Sequence, residues 1–314
     1  MPETVAARRV LLPRGETEVQ VKVGRRVTTL TNLDKPFWPA LGLAKRHLLQ
    51  HYIDVAPWLL PHLRDRAMVM KRYPDGIDGE SFFMKRTPPG APDWLETCSI
   101  RHKGGNVIDF PMVQDLASLL WVVNLGCVDL NQWYARCDDT DRPDHLHFDL
   151  DPVDGTAFGR VLETALLLRE ELEKLGMRPL VKTSGASGMH LYVPIKRGPL
   201  QKQVWTVSKA IAVEMASRHP KLMTVVFKVA DRPRGTVLVD YNQNAWGRTL
   251  ASIYSLRPVP LATVSTPVTW AEVKKGFRIA DFRIDNIRAR LRRRGDLWKP
   301  LLASRGRFDL GKLL

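Results

Sequence analysis

The run His145-Leu146-His147-Phe148-Asp149-Leu150-Asp151-Pro152 sets two carboxylates one residue apart inside an apolar stretch. Residues i and i+2 of a strand share a face, so His147, Asp149 and Asp151 are expected on one side, with Leu146, Phe148 and Leu150 facing the core on the other. The aspartate Cα atoms then lie ~6–7 Å apart, close enough for the charges to repel. A hard divalent cation turns that repulsion into binding, because Mg²⁺ or Mn²⁺ takes oxygen ligands and reverses the local charge. A third carboxylate from a neighbouring strand would allow two ions and an in-line phosphoryl transfer. Asp240, at the end of the β-branched run Thr236–Asp240, is the candidate. Alone, an Asp-x-Asp pair is a weak signal, since the same spacing decorates the wet face of many edge strands.

Two further features point to a phosphate-rich substrate. The segment KTSGASGMH, residues 182–190, reads as a Ser/Gly turn between strands, able to aim backbone N–H groups at phosphate oxygens with Lys182, Ser184 and His190 beside it. Arg232 and Arg234 precede Asp240, and Arg248 and Arg257 follow it. Guanidinium forks suit triphosphate charge.

The elements that must hold these residues follow from periodicity. Residues 19–31 alternate around a Gly-Arg-Arg turn like a hairpin, residues 44–65 carry a helical apolar stripe, and residues 115–126 form an apolar helix stopped by Gly126. From residue 145 to 241 the order is strand, helix, strand, strand, helix, strand. That order predicts an α+β fold with a split βαβ unit, helices on one face of a largely antiparallel sheet and the other face free for chemistry. No linker or internal repeat divides the chain, so residues 1–314 are read as one catalytic domain of two interleaved lobes, about 20–130 and about 140–260, followed by a helical tail at 261–314.

Charge narrows the partner. The 48 Lys and Arg against 33 Asp and Glu give a net +15, which attracts polyanions through counterion release. A membrane surface fits less well, because the cations are scattered rather than gathered on one amphipathic helix. The densest cluster, residues 285–298, reads as a solvated helix face. No run is long enough to span a bilayer, and the N-terminal MPETVAARRVLLPRGE lacks the apolar core of a signal peptide, so a cytoplasmic, nucleoid-associated protein is expected. Cys98, Cys127 and Cys137 form no CxxC pair and are read as buried free thiols; a zinc site from Cys127, Cys137, His145 and His147 matches no common spacing and is rejected.

Taken together, TLTNLDKPFWPALGLAKRHLLQHYIDVAPWLLPHL, MKRYPDGIDGESFFMKRTPPGAPDW, HFDLDP, TSGASGMHLYVPI, VLVDYNQN and IYSLRP occur in an order that resembles the polymerase domain of bacterial DNA ligase D and its stand-alone relatives, within the archaeo-eukaryotic primase superfamily. The resemblance runs from about residue 20 to 300. It implies a primase-like core with an RRM-like C-terminal half, and a nucleotidyltransferase that adds ribo- or deoxyribonucleotides at DNA gaps and ends. Mn²⁺ or Mg²⁺ and a nucleoside triphosphate are the implied cofactor and substrate.

By position, the resemblance makes Asp149, Asp151 and Asp240 the metal ligands and places the triphosphate against Ser184, Gly188 and His190, with Gln243 and Arg257 nearby. Lys71 falls on the basic residue of a KR-x-P-x-G motif, and Phe82 and Phe83 on an aromatic pair that stacks template or nucleotide. Adjacent strand residues cannot both face inward, so one of the two phenylalanines should protrude. Lys35 and Lys45, each of which would pass as a surface lysine, match the pocket for the 5′-phosphate across a DNA gap. Asn131 stands where ligase-fused members carry His, and Ser187 where they carry Lys; both changes bear on nucleotide binding. Arg232 and Arg234 straddle the family's arginine. The departures suggest a stand-alone branch, with a separately encoded ligase and the DNA-end protein Ku as candidate partners; a monomer is expected, though not from these residues.

Three rivals stay open at this level. A metal-dependent nuclease also clusters aspartates but needs no triphosphate pocket. A glycosyltransferase explains the Asp-x-Asp pair but not the basic surface, and a DNA-end-binding scaffold without catalysis fits Asn131 and Ser187 but not the retained aspartates.

Overall fold

Alternation and turn chemistry generate the N-terminal elements. The computed structural model describes residues 10–102 and 104–314; the reading of the N-terminus as lacking a signal-peptide core falls largely on residues 1–9, outside that range. Strands β1 (Val19–Val23) and β2 (Arg26–Leu30) pair antiparallel across Gly24-Arg25, with Arg26 already in the strand. Gly24 takes φ +60°, which a tight turn of this kind demands. Strands β3 (Pro36–Trp38) and β4 (Leu43–Ala44) lead into helix α1 (Lys45–Leu63). Strands β5 (Met68–Arg72), β6 (Phe82–Met84), β7 (Thr97–Arg101) and β8 (Val107–Pro111) follow, then helix α2 (Leu116–Asn124), capped by the Asp115 carboxylate on the Ser118 N–H. Strand β9 (Cys127–Gln132) completes a three-stranded sheet in the order β6-β5-β9.

The second half begins with β10 (Ala135–Arg136), β11 (Asp139–Pro143) and β12 (His145–Pro152), then helix α3 (Phe158–Lys174), strands β13 (Leu180–Thr183) and β14 (Met189–Pro194), and helix α4 (Gln201–Arg218). Strands β15 (Met223–Thr224), β16 (Val237–Asp240) and β17 (Pro267–Val268) finish a six-stranded sheet ordered β15-β16-β12-β14-β13-β17, antiparallel except for the β15–β16 pair. Its central four strands, β16-β12-β14-β13, have the connectivity and order of the expected RRM-like unit. The short helices α5 (Trp270–Lys275), α6 (Ile287–Arg294) and α7 (Lys299–Leu302) close the chain. Helix α6 is only partly a solvated face: Ile287 and Leu291 are buried, and Arg290 is paired with Glu272.

Two large cores and a smaller one, built from Ala67, Val69, Cys98, Ile100, Phe110 and Trp133, hold these layers. Leu146, Phe148 and Leu150 of β12 pack against Val161, Ala165 and Leu168 of α3 and Val204, Ile211 and Met215 of α4, as strand alternation requires. The other large core gathers α1, α2, β5 and β9 with Tyr192, Leu256, Val264, Leu291, Trp298 and Leu301 from far along the chain. The second face of the six-stranded sheet is therefore not free along its length. His145, His147 and Tyr192 stack beneath Tyr134 and Trp298, and only the end bearing Asp149 and Asp151 remains near an opening.

The reading of three free thiols is corrected. Cys98 of β7 and Cys137, between β10 and β11, form a disulfide with Cα atoms 5.8 Å apart, while Cys127 is buried and free. The partners are 39 residues apart, and only the tertiary fold brings them together. Among the described residues no helix is long and apolar enough to cross a membrane.

Candidate active site

Sheet register builds the carboxylate cluster. Asp149 lies directly opposite Asp240 of β16 on one side and His190 of β14 on the other, and Asp151 follows two residues along the same face. Beyond Asp240 the β16 ladder ends, and Asn244 takes over. Its side-chain amide accepts from the His147 N–H at 3.0 Å and donates to the His147 carbonyl at 2.6 Å, standing in for a strand neighbour. Asp240 is aimed by its own turn: Asn242 N–H donates to Oδ1 (2.7 Å) and Gln243 Nε2 to Oδ2 (2.9 Å). Gln243, expected on the nucleotide, thus spends its amide on Asp240.

The cluster is electrostatically strained. Burial, then the Asp240 charge, pushes Asp149 up to about 7, with Lys182 and Arg257 pulling the other way. The Asp149 charge, then burial, then Asp240, pushes Asp151 to about 8, opposed by Arg232 and Arg257. Asp240 is raised by burial against the bonds from Gln243 and Asn242. Asp149 Oδ1 is buried and accepts no hydrogen bond, although His190 Nε2 lies 3.3 Å away. Among the described residues no three His, Cys, Asp or Glu stand in finished ligand geometry. The donor set nevertheless fits a hard divalent cation: crowded carboxylate oxygens, one of them an orphan.

The Ser/Gly turn departs from its expected use. The Ala186 and Gly188 N–H groups donate to Ser184 Oγ (3.1 and 3.0 Å), so these two donors fold the turn instead of facing a ligand. A Cβ on Gly188 would sit 2.1 Å from the Leu150 carbonyl, which explains glycine where the turn crosses β12. His190 is held neutral, its pKa driven well down by burial and then by Lys182 and Arg257, so it can donate a hydrogen bond but carries no charge for a phosphate. Lys182 is wholly buried, bonded to Ser265 Oγ, and does not border the opening. Arg257 reaches the Ser184 carbonyl (3.3 Å) and comes within 3.5 Å of Asp129. Arg232 is half-buried, anchored on the Val226 and Phe227 carbonyls, and its charge acts on Asp151; Arg234 and Arg248 are exposed, Arg248 acting on Asp240.

A second cluster lies in the N-terminal half. Lys45, at the start of α1, is 5% exposed and donates to the Thr31 carbonyl at 2.8 Å, so it is not the surface lysine that sequence suggested. Burial, then Lys35, then Arg72, lowers it to about 8. Lys35 pairs with Asp75 at 2.6 Å. Arg72, the second residue of the KR-x-P-x-G motif, to which sequence assigned no role, completes this group of three cations. Its neighbour Lys71 lies opposite Phe83, and Arg72 opposite Phe82, each cation 5.3–5.4 Å from its ring. Both phenylalanines protrude, at 44% and 61% exposed, because β6 is an edge strand with neither face covered at that point. Asn131 is buried on β9, its amide on the Asp129 carbonyl. Ser187 lies on the turn, outside the Ser184 bonds.

Known proteins are similar to this chain in sequence and in fold. Residues 44–298 match the model of the LigD primase-polymerase domain. The multifunctional non-homologous end joining protein LigD of Mycolicibacterium smegmatis is 32% identical over 87% of this chain and 36% of its own length. The bifunctional LigD of Bacillus subtilis is 30% identical over 84% of this chain and 42% of its own. The chain thus spans well under half the length of these curated relatives. The structure of the polymerase domain from Mycobacterium tuberculosis ligase D in complex with DNA superposes with a TM-score of 0.83, at 30% identity, covering 89% of this chain and 99% of that one. With its register of carboxylates, its RRM-like sheet and these matches, the chain belongs to the LigD primase-polymerase domain family.

Proposed function

We propose that this chain is a template-directed nucleotidyltransferase that adds ribo- or deoxyribonucleotides at DNA gaps and ends during end-joining repair. The observation that carries the reading is the register pairing of Asp149 with Asp240, with Asp151 on the same face. Asp149, Asp151 and Asp240 would hold Mn²⁺ or Mg²⁺, which supply activation of a primer 3′-hydroxyl and charge neutralisation on the leaving pyrophosphate. The chain's own residues do the remaining work. Arg257 and Arg232 meet phosphate charge, neutral His190 donates a hydrogen bond, and Ser184 with Gly188 shapes the turn beneath the nucleotide. Gln243 acts through Asp240, Asn131 lines the wall built by β9, and Lys71 with Phe82 and Phe83 offers a cation-backed stacking surface for bases. Lys35, Lys45 and Arg72 receive the 5′-phosphate on the far side of a gap.

The net charge of +15 supports DNA as the partner. The lobes act as one catalytic unit, working as a monomer with a DNA ligase activity and Ku at DNA ends. The test is single-nucleotide filling of a gapped duplex. Asp149→Ala should lower extension by about 10³-fold or more while leaving duplex affinity within about twofold. Extension surviving in that variant overturns the reading, and shortening of the primer without added nucleotide would show a nuclease instead.

A further inference from the structure

The buried carboxylate of Asp129 has no role in the site as described so far. It stands on β9, 3% exposed, in register with Lys71. One oxygen lies 3.5 Å from Arg257 Nη2, and the other is buried with no hydrogen bond. A carboxylate kept out of water with so few partners is costly, and a well-packed neutral side chain would serve a plain core better. Among the described residues its ion-pair partner is Arg257, which also bonds the Ser184 carbonyl in the nucleotide turn.

Arg257 is placed as a bridge. Its stem crosses the turn so closely that a Cβ on Gly185 would meet Arg257 Cγ at 2.7 Å. One end of the guanidinium donates to the Ser184 carbonyl in the six-stranded sheet's turn, and the other faces Asp129 on the three-stranded sheet. Arg257 Nε is buried and makes no hydrogen bond, so Nη1 and Nη2 carry the guanidinium's contacts. Lys182, fully buried, shares the enclosure and interacts electrostatically with Asp129, Asp149 and Arg257. Asp129 and Asp149 thus face Lys182 and Arg257 across one enclosure, with burial holding Lys182 well below the usual lysine range. Without Asp129, one end of the Arg257 guanidinium keeps its bond to the Ser184 carbonyl while the other loses its anionic partner.

We infer that Asp129 is a positioning residue that holds the Arg257 guanidinium in the orientation from which it receives the triphosphate. The inference rests on the nucleotide-site reading of Arg257. Its test uses the whole chain with Mn²⁺ and a gapped duplex. Nucleoside triphosphate affinity is read by calorimetric titration, alongside kcat and duplex affinity, in Asp129→Asn, Asp129→Glu, Arg257→Ala and the Asp129→Asn/Arg257→Ala double variant.

Asp129→Asn should weaken nucleotide binding about tenfold, the scale of one lost charge-assisted interaction, with duplex affinity unchanged. Asp129→Glu should recover most of the loss, and in the Arg257→Ala background Asp129→Asn should add nothing. An equal loss in that background, or Asp129→Glu as weak as Asp129→Asn, overturns the inference. If Asp129→Asn does not fold, Asp129→Glu alone, compared in both backgrounds, completes the cycle: a shift in nucleotide affinity that persists without Arg257 is the overturning result. Arg257→Ala with unchanged nucleotide affinity refutes the assignment of Arg257 itself, a separate failure.

Discussion

The carboxylates at Asp149, Asp151 and Asp240 and the cations at Lys35, Lys45 and Arg72 are two crowded groups of opposite sign. In the first, acids are pushed up to about 7 and about 8; in the second, a lysine is pulled down to about 8. Each group stores repulsion that a ligand of the opposite charge would relieve, which on the proposed reading is a divalent cation for one and a phosphate for the other. They are built differently. Strand register fixes the acids to within a residue, whereas the cations come from a loop, a helix start and a strand end, and depend on side-chain reach.

Next to the loss of extension expected of Asp149→Ala, the largest effect in this comparison tests whether the cationic group reads phosphate. Lys45→Met, which keeps the buried stem, should reduce the preference for a gap bearing a 5′-phosphate over one ending in hydroxyl by about tenfold, read as a ratio of Kd values. The same ratio should fall with rising pH in the native chain. Lys45 loses its proton near 8 when free and keeps it beside a phosphate, so binding takes up a proton above that pH. A ratio unchanged between pH 7 and 9 would separate Lys45 from the phosphate.

A smaller effect probes the stacking surface next to the cations. Phe83→Ala should weaken binding of a templated gap by about 1 kcal/mol, with no loss in melting temperature because Phe83 is 61% exposed. An equal loss on a blunt duplex would point to general packing instead.

The smallest effect contrasts the two groups by stability. Folded Asp149 and Asp151 hold protons more tightly than the unfolded chain between the ordinary carboxylate range and about 7 to 8, so their contribution to stability falls as pH rises through that window. For Lys45 the sign reverses: stability rises with pH between about 8 and the ordinary lysine value. Mn²⁺ should therefore raise the melting temperature by a few degrees at pH 8.5, about 1 kcal/mol, and by less at pH 6. Asp149→Asn should remove the difference.

The acidic group was legible in sequence because its geometry is backbone geometry. Period-two alternation assigned Leu146, Phe148 and Leu150 to one face and the aspartates to the other, and a β-branched run ending in Asp240 supplied the facing strand. What escaped depends on tertiary burial. Nothing local in Asp34-Lys35 or Ala44-Lys45 distinguishes an exposed lysine from one packed under Thr31. A Ser/Gly turn does not reveal that Ser184 Oγ will consume two of its N–H donors, nor does spacing show that His190 will be too dry to hold a proton. Cys98 and Cys137 lie in separate hairpins, and Asp129 acquires meaning only once Arg257 arrives from 128 positions later.

The hydrophobic core around α1 has a consequence for how the protein is made. Tyr52 and Leu48 of α1 wait for Leu256, Val264, Trp298 and Leu301, so the N-terminal lobe emerges from the ribosome long before its own interior can close. The RRM-like half, whose own core draws mainly on residues 146–282, can condense first and serve as a template for the rest. Loss of the last helical turns would then strand the early-synthesised half unfinished, and those turns would govern solubility before they govern catalysis.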